Sequence, residues 1–475
     1  YAAVLKRSQC FFSSALTIEM RNKMTIAAIA TPLAAGGISI IRISGEQAIE
    51  IADRVFQAQS GVPLAQKAGY TAAFGQIIQD GKPLDTSVAT VFRAPKSYTG
   101  EDVVELSCHG GVMITREVLR VVLEQGAALA EPGEFTKRAF LNGKLNLTQA
   151  EAVADLIQAG NRQAMNAARA QMGNALYRKI EQIRVDLLAI AGHLGAWVDY
   201  PEEEIPEVDQ GHLLDSLRHS IQELARLIRS FDTGKLVREG IETVIAGKPN
   251  VGKSTLMNLL AGCRRSIVTD IAGTTRDVVE ETVSLGEWTL RLADTAGIRV
   301  TDDQVEQAGV ELARARLGQA QLILAVFDSS QPLSEEDREL ICTVSGKPVI
   351  AVVNKSDLPA QIEWEELEQA FPSLLVISAQ QDQSLSALEE KIGQVIQSEK
   401  LDLSAGMIAT ERQRSCAEAA MENLREAAEG LEAGITLDAV TVSIDSAIHA
   451  LLELTGGKVT EEVVNQVFSH FCVGK

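Results

Sequence analysis

The sequence predicts a multidomain protein of mixed α/β and α class, in which an α/β module is inserted into a mostly helical domain. Its length of 475 residues exceeds what one hydrophobic core usually supports, so about three domains are expected. Short apolar runs alternate with helical stretches between Gly240 and about Gln397, as in a doubly wound parallel sheet. Helical sequence patterns precede this module and resume after it, which predicts that the module is inserted into a helical domain.

The N-terminal part is predicted to be an α+β domain spanning residues 24–142, after an extension at residues 1–23. Its apolar runs are short and are separated by Gly and Pro, as strands joined by turns are. These strand-like runs lie at residues 26–32, 36–45, 71–77, 86–92 and 102–107.

The helical domain is predicted in two parts, residues 143–238 and 399–475, which flank the module at residues 239–398. Thr148 is predicted to cap its first helix, because Glu151 lies three residues further on, as in a capping box. Aromatic residues make up only 4% of the chain, and Ala, Leu, Glu and Gln are frequent on both flanks, which favours helix there. Strands of the module are predicted at residues 243–246, 289–293, 322–327, 349–353 and 375–378.

Composition and charge restrict the classes of function. The 44 basic and 64 acidic residues give a net charge of −20, which repels phosphate backbones at long range. We therefore expect any nucleic-acid contact to be local or to be made through a partner protein. The six cysteines are scattered without a C-x-x-C pair, which argues against disulfides and a zinc site. No apolar stretch reaches the roughly 18 to 20 residues needed to cross a bilayer, so we expect a cytoplasmic protein.

The extension before Met24 carries a basic excess, with four Lys and Arg residues against the single acid Glu19. It loosely resembles an organellar transit peptide, which would place the mature protein in the mitochondrion. The alternative is an extension with no role, because Met24 directly precedes a well-patterned strand and would serve as a start.

The stretch from Gly247 to Ser254, GKPNVGKS, has the spacing of a phosphate-binding P-loop. It follows a predicted strand and precedes a predicted helix. Its glycines let backbone N–H groups curl around phosphates, and the helix presents its positive end to them. Lys253 is predicted to reach the β and γ phosphates, and the Ser254 hydroxyl to ligate Mg²⁺. An ordinary glycine-rich turn is the alternative.

The tetrapeptide from Asn354 to Asp357, NKSD, follows a predicted strand and is a candidate reader of guanine. The Asp357 carboxylate can accept hydrogen bonds from N1–H and the 2-amino group, a donor pair that adenine lacks. Two further segments complete the predicted GTP site. The DTAG segment from Asp294 is predicted to contact Mg²⁺ and the γ-phosphate, and the Ser378–Ala379 pair to contact the base. The predicted GTP-binding residues are Asn250, Val251, Gly252, Lys253, Ser254, Thr255, Thr269, Asp270, Ile271, Ala272, Gly273, Thr274, Thr275, Asp294, Thr295, Ala296, Gly297, Asn354, Lys355, Asp357, Ser378 and Ala379.

A polar segment between the P-loop and Asp294 is a candidate switch. Thr275 is predicted to close over Mg²⁺ when the γ-phosphate is present. A polar loop with a Gly-Thr turn is the alternative.

The residue after the DTAG segment is Ile298, where many GTPases carry a Gln that orients the attacking water. A substitute must come from elsewhere. Glu306 is one candidate, and Asp302 and Asp303 are chemically as able. No arginine finger is identified, so a bound monovalent cation, with the side-chain oxygen of Asn250 as a ligand, is a possible source of the missing charge.

These motifs, together with segments outside the module, resemble the MnmE/TrmE family of tRNA-modification GTPases from about Met24 to the last residue. The ending C-x-G-K after an inserted GTP-binding module is highly specific, and Val473, where Ile is usual, changes little. The other matching segments are residues 40–45, 98–105, 132–135, 140–145 and 471–475.

The resemblance implies a tetrahydrofolate-binding-like fold for the N-terminal domain, which also forms a homodimer, and a Ras-like P-loop GTPase fold for the module. It implies that Cys472 occupies a position suspected of chemistry, but a small packed thiol is the expected role. The implied folate-binding residues are Arg42, Glu105, Lys144 and Lys475. The implied K⁺ ligands are Asn250, Thr269, Ile271 and Thr274. The implied catalytic residues are Glu306, which would position the water, Lys253 and Thr275, and the implied Mg²⁺ ligands are Ser254 and Thr275.

By the same resemblance, the expected reaction adds an aminomethyl or carboxymethylaminomethyl group to C5 of the wobble uridine of certain tRNAs. The one-carbon donor is a 5-formyl or 5,10-methylene tetrahydrofolate, and an FAD-containing MnmG-type protein is the partner in a heterotetramer. Two alternatives remain at this point. One is a ribosome-assembly GTPase of the Era or Der type, although nothing after Gln397 is as basic as their RNA-binding domains. The other is a nucleotide-gated scaffold whose hydrolysis is incidental.

Overall fold

The computed structural model describes residues 24–199, 209–262, 281–293, 317–318, 320–380, 384–396, 406–469 and 471–474. It divides into two compact units. One ends at Glu151 and resumes at Thr455, and the other is Ala152–Leu454. Among the described residues, no helix combines the length and the apolarity that crossing a membrane requires. The finer domain boundaries at residues 142, 238 and 398 stay predictions.

A seven-stranded sheet is the scaffold of the first unit. Its order is β3-β4-β5-β6-β2-β1-β7, and all pairings are antiparallel except that of β1 with β7. All five predicted strand runs are confirmed, whereas β3 and β7 were not predicted because two or three residues are too few to show alternation. The strands are β1 (Ile26–Ile29), β2 (Ile38–Ser44), β3 (Phe56–Ala58), β4 (Thr71–Gln79), β5 (Lys82–Phe92), β6 (Val103–His109) and β7 (Ala128–Leu129).

Two helices cover one face of this sheet. Ile51 of α1 and Val118 of α2 share a buried core with Ile41 and Val104 of the strands. The opposite face carries Arg42 of β2, at the register position of Glu105 on β6. The helices of this unit are α1 (Ala48–Val55), α2 (Val112–Glu124), α3 (Glu134–Leu141) and the last helix of the chain, α14 (Glu461–Ser469).

Long helices form the core of the second unit, where Leu187, Leu217, Leu424 and Leu451 are buried together. The helices predicted on both sides of the module are therefore confirmed. The helices are α4 (Leu147–Gln158), which begins in the first unit, α5 (Arg162–Met172), α6 (Ala175–Asp199), α7 (Gln210–Glu239), α12 (Glu411–Glu432) and α13 (Leu437–Thr455).

The predicted cap of α4 was wrong. The helix begins at Leu147, so Thr148 lies inside it. The Oδ1 of Asn146 accepts a hydrogen bond from the Gln149 N–H at 2.8 Å, and the Gln149 Oε1 accepts one from the Asn146 N–H at 3.1 Å. The reciprocal capping contact therefore forms two residues earlier, where Asn is a stronger N-cap residue than Thr.

The α/β module contains a six-stranded sheet among its described residues, in the order β13-β12-β11-β8-β10-β9. The pairings are parallel except that of β9 with β10, and buried clusters lie on both faces, which confirms the doubly wound fold. The strands are β8 (Ile241–Ala246), β9 (Glu281–Leu285), β10 (Trp288–Ala293), β11 (Leu322–Asp328), β12 (Val349–Asn354) and β13 (Leu374–Val376). The helices are α8 (Lys253–Gly262), α9 (Glu335–Val344), α10 (Trp364–Ala370) and α11 (Ser384–Val395).

Candidate nucleotide-binding site

The P-loop joins the central strand β8 to α8, as predicted. Gly247 has φ 154°, and a Cβ there would lie 2.5 Å from the Val326 carbonyl oxygen. Gly252 has φ 100°, and a Cβ there would lie 2.1 Å from the side-chain nitrogen of Asn354. Both positions therefore require glycine, for backbone conformation and for space.

The Lys253 ammonium is held against the backbone of this loop. Its Nζ donates hydrogen bonds to the carbonyl oxygens of Gly247 and Lys248, each at 2.7 Å. Burial lowers the pKa of Lys253, and the charge of Glu336 partly offsets this effect. Ser254 and Thr255, the next two residues, are exposed at the first turn of α8. The loop thus presents a positive charge and a hydroxyl group at the start of a helix, where anions bind.

Asn354 connects the P-loop to the segments that are predicted to bind the base. Its side chain is buried; Nδ2 donates to the Val251 carbonyl oxygen at 2.9 Å, and Oδ1 accepts from the Ala379 N–H at 2.9 Å. Ser378 and Ala379 are buried, whereas Asp357 is exposed. Asn354 therefore braces two loops, and Asp357 is left accessible to a base.

Lys355 is held by residues at the end of the neighbouring strand β11. Its Nζ donates to Oδ2 of Asp328 at 2.6 Å, and its carbonyl oxygen accepts a hydrogen bond from the Ser329 hydroxyl at 2.8 Å. Burial raises the pKa of Asp328, but hydrogen bonds from Lys355 and Ser330 outweigh it, so this pKa lies below its ordinary value. Sequence reasoning missed Asp328, because its contact with Lys355 depends on strand order.

A second contact that the sequence did not predict joins the P-loop to helix α9. The Lys248 ammonium lies 2.7 Å from Oδ2 of Asp337, whose side chain is 2% exposed. Asp337 also forms a capping box with Ser334 at the start of α9. Burial raises the pKa of Asp337, but hydrogen bonds from Lys248 and Ser334 outweigh it and lower the pKa below its ordinary value.

An open cleft of about 620 Å³ lies on the Lys248 side of the loop. Its lining includes Asp328, Glu335 and Glu336, but neither Lys253 nor Asp357. The lining also contains Lys248, but this ammonium is paired with Asp337, whereas Glu335 and Glu336 are exposed and repel a triphosphate. The prediction that the triphosphate lies at Lys253 and α8 is therefore kept.

Several predicted site residues lie outside the part of the chain that the structure describes, so their assignments stay predictions. They are Thr269, Asp270, Ile271, Ala272, Gly273, Thr274, Thr275, Asp294, Thr295, Ala296, Gly297, Glu306 and Lys475. Of the four predicted K⁺ ligands, Asn250 is described. It is exposed and has φ 66°.

The predicted folate residues Arg42 and Glu105 lie together in the first unit. The Arg42 Nε donates to Glu105 Oε1 at 2.9 Å, and the guanidinium also donates to the Gly474 carbonyl oxygen at 3.3 Å. The same guanidinium lies 5.7 Å from the ring centroid of Tyr98 and 5.6 Å from that of Phe135, a cation–π geometry. The C-terminal end of the chain is thus part of this cluster.

Lys144 and Cys472 complete the predicted residues of this unit. The Lys144 ammonium donates to the Pro95 carbonyl oxygen at 3.0 Å. The expectation of a packed thiol at Cys472 was wrong, because Cys472 is exposed, and its carbonyl oxygen accepts a hydrogen bond from the Gly133 N–H at 3.3 Å. A short terminal segment anchored through its backbone leaves this side chain outside.

A P-loop after the central strand of a doubly wound sheet, joined by the buried Asn354 to a segment that exposes Asp357 after strand β12, is the arrangement of a GTP-binding protein of the P-loop class. A family model described as the MnmE helical domain matches residues 147–472, and one described as the GTP-binding protein TrmE N-terminus matches residues 25–144. The chain belongs to the MnmE/TrmE family of tRNA modification GTPases.

Curated relatives agree with the family models. The tRNA modification GTPase MnmE of Geobacillus kaustophilus is 42% identical over 95% of this chain and 99% of its own length. That of Lactococcus lactis is 42% identical over 95% of this chain and 98% of its own length. Among solved structures, the G domain of the T. maritima FeoB iron transporter covers 33% of this chain and 99% of its own length, at 27% identity and a TM-score of 0.26.

Proposed function

We propose that this chain hydrolyses GTP with K⁺ activation and, with an FAD-containing MnmG-type partner, modifies C5 of the wobble uridine of certain tRNAs. The added group is aminomethyl or carboxymethylaminomethyl, and the carbon comes from a tetrahydrofolate derivative. The observation that carries the proposal is the brace at Asn354, which joins the phosphate loop to the guanine-binding segments. The family match over residues 147–472 favours this function over ribosome assembly.

The nucleotide chemistry is assigned to side chains around the P-loop. Lys253 would donate to the β and γ phosphates, and Asp357 would accept from the guanine N1–H and 2-amino groups. The exposed hydroxyl of Ser254 at the first turn of α8 is an oxygen ligand of the kind that Mg²⁺ prefers, and Thr275 would be the second protein ligand. Bound Mg²⁺ would neutralise charge that develops on the phosphates.

Hydrolysis needs a positioned water and a further positive charge. Glu306 would hold the water in place of the Gln that Ile298 replaces. The exposed side-chain oxygen of Asn250 fits a K⁺ ligand, with Thr269, Ile271 and Thr274 as the others. Bound K⁺ would supply the charge that an arginine finger supplies in other GTPases.

The first unit is proposed to bind tetrahydrofolate and to form a homodimer. Arg42 would pair with the folate glutamate tail together with Lys144 and Lys475, and Glu105 would hydrogen-bond the pterin ring. The sheet face that carries Arg42 also exposes Phe74, which is 56% exposed. Exposed apolar side chains on a sheet face support an interface. The net charge of −20 supports a partner that holds most of the tRNA, as in the proposed heterotetramer.

GTP turnover of the full chain in KCl and in NaCl tests the proposal. We expect turnover to be high only in KCl, and Glu306→Ala to lose most of it while still binding GTP. Asp302→Ala and Asp303→Ala are matched carboxylate controls in which K⁺-stimulated turnover should persist. Equal and negligible rates in both salts would contradict the K⁺ dependence, and normal turnover in Glu306→Ala would contradict its role.

The tRNA step needs a separate measurement. Mass spectrometry of tRNA nucleosides from cells that lack this protein should show loss of the modified wobble uridine, and expression of the wild-type chain should restore it. Unchanged nucleosides would rule out the tRNA step and leave the hydrolase assignment standing.

A further inference from the structure

The carboxylate of Asp328 lies beside the guanine-binding loop without belonging to any of its motifs. Strands β11 and β12 pair in parallel, with Asp328 opposite Asn354. Asp328 is 4% exposed, and its Oδ2 accepts the hydrogen bond from Lys355 at 2.6 Å. Its Oδ1 accepts two more from Ser330, from the N–H at 2.9 Å and from the hydroxyl at 2.7 Å. The carboxylate is therefore fixed in place on both sides.

The backbone at Lys355 needs such support. Its φ of 63° lies in the left-handed region, which is unfavourable for a residue with a side chain. The Ser329 hydroxyl holds its carbonyl oxygen at 2.8 Å, and the Leu358 N–H donates to the same oxygen at 3.0 Å. Residues 328 and 329 thus hold Lys355 at both its ammonium and its carbonyl group, and Asp357 follows two residues later.

We propose that Asp328 is a positioning residue for guanine recognition, which holds Lys355 so that the loop carrying Asp357 is ordered before the nucleotide binds. The inference rests on the proposed GTP site. A loop ordered in advance loses less conformational freedom on binding, which favours affinity. The 2-amino group of guanine adds a hydrogen bond only if Asp357 is held in place, so losing the brace weakens guanine selectivity as well as affinity.

A purely structural role for Asp328 would give a different result. It would lower the stability of the fold and leave the relative affinity for two purines unchanged. The ratio of Kd values for IDP and GDP separates the two roles, because hypoxanthine lacks the 2-amino group. Thermal unfolding, measured in parallel, reports the stability alone.

The test uses the full chain with Asp328→Asn, Lys355→Met and the double variant, and Glu366→Gln as a control. Glu366 is a half-buried carboxylate paired with Arg338 on the same module. Asp328→Asn should raise the Kd for GDP about tenfold, the size of one hydrogen bond to a charged group, and should reduce the preference over IDP. In the Lys355→Met background, Asp328→Asn should cause no further loss, because Asp328 acts through Lys355. Glu366→Gln should match the wild type.

An unchanged preference for GDP over IDP in Asp328→Asn overturns the inference. It is also overturned if the losses of GDP affinity in Asp328→Asn and Lys355→Met multiply in the double variant. If Asp328→Asn alone does not fold, Lys355→Met and the double variant, which removes both charges, decide the matter. Equal, reduced preferences in these two support the inference, and wild-type preference in Lys355→Met or a further loss in the double variant overturns it. Failure of the wild-type chain to bind GDP would instead refute the proposed GTP site.

Discussion

The side chain of Asn354 ties the P-loop to the segments that we propose bind the base, so Asn354→Ala should impair both GDP binding and stability. The substitution removes two hydrogen bonds of 2.9 Å at a position that is 3% exposed. It leaves the Val251 carbonyl oxygen and the Ala379 N–H without these partners, and each unsatisfied buried group costs roughly 1–3 kcal/mol. The combined cost is then about 2–6 kcal/mol, and even the lower figure corresponds to roughly a thirtyfold change in an equilibrium constant.

Titration of the full chain with a fluorescent GDP derivative, together with thermal unfolding, measures this effect. We expect the Kd for GDP to rise at least tenfold, since each 1.4 kcal/mol is about a factor of ten, and the unfolding temperature to fall. Asn258→Ala is the matched control, because Asn258 is an exposed asparagine on α8. A Kd within about twofold of the wild-type value, with unchanged unfolding, would refute the brace, given that one net hydrogen bond alone exceeds that factor.

Two further predictions concern the first unit. Gly474 has φ 93° and a Cβ there would lie 2.3 Å from the Ile29 carbonyl oxygen, so Gly474→Ala should displace the C-terminal segment from Arg42 and weaken tetrahydrofolate binding in calorimetry. Val473→Ala, at an exposed position, should bind normally, and wild-type affinity in Gly474→Ala would contradict the tail's role. Burial and the charge of Asp85 raise the pKa of the Cys108 thiol to about 11, so at pH 8 only about one molecule in a thousand is thiolate there. Iodoacetamide should therefore modify the exposed Cys472 and spare Cys108 in peptide mass spectrometry, and equal rates at the two sites would contradict this.

The sequence identifies the parts of the site whose chemistry is local. A P-loop needs glycine where a Cβ would collide, so Gly247 and Gly252 appear as a motif, and their positions in the structure agree. The proposed base reader is likewise a short segment at a strand end. Most strands were predictable for the same reason, because alternation or a continuous apolar run is a local pattern.

What the sequence does not identify depends on which elements become neighbours. The contacts of Asp328 with Lys355 and of Asp337 with Lys248 join residues 27 and 89 positions apart, and they exist only because of the strand order. Strand β9 did leave a local signal, since Val283 and Leu285 alternate with polar residues before a turn at Gly286. It was missed because its five residues form the antiparallel edge of an otherwise parallel sheet.

The hairpin formed by β9 and β10 links the nucleotide module to the helical part of the same unit. The Ser284 hydroxyl donates to the Gly160 carbonyl oxygen, and the Asn161 side-chain nitrogen donates to the Thr289 hydroxyl, each at 2.8 Å. The oxygen of the same Asn161 amide caps α5 by accepting from its backbone at 2.7 Å. β10 ends one residue before Asp294, the start of a predicted γ-phosphate sensor. A hydrogen bond persists only if its donor–acceptor distance changes by no more than a few tenths of an ångström. Any larger shift of this hairpin must therefore break the contact between Asn161 and Thr289 or carry α5 with it.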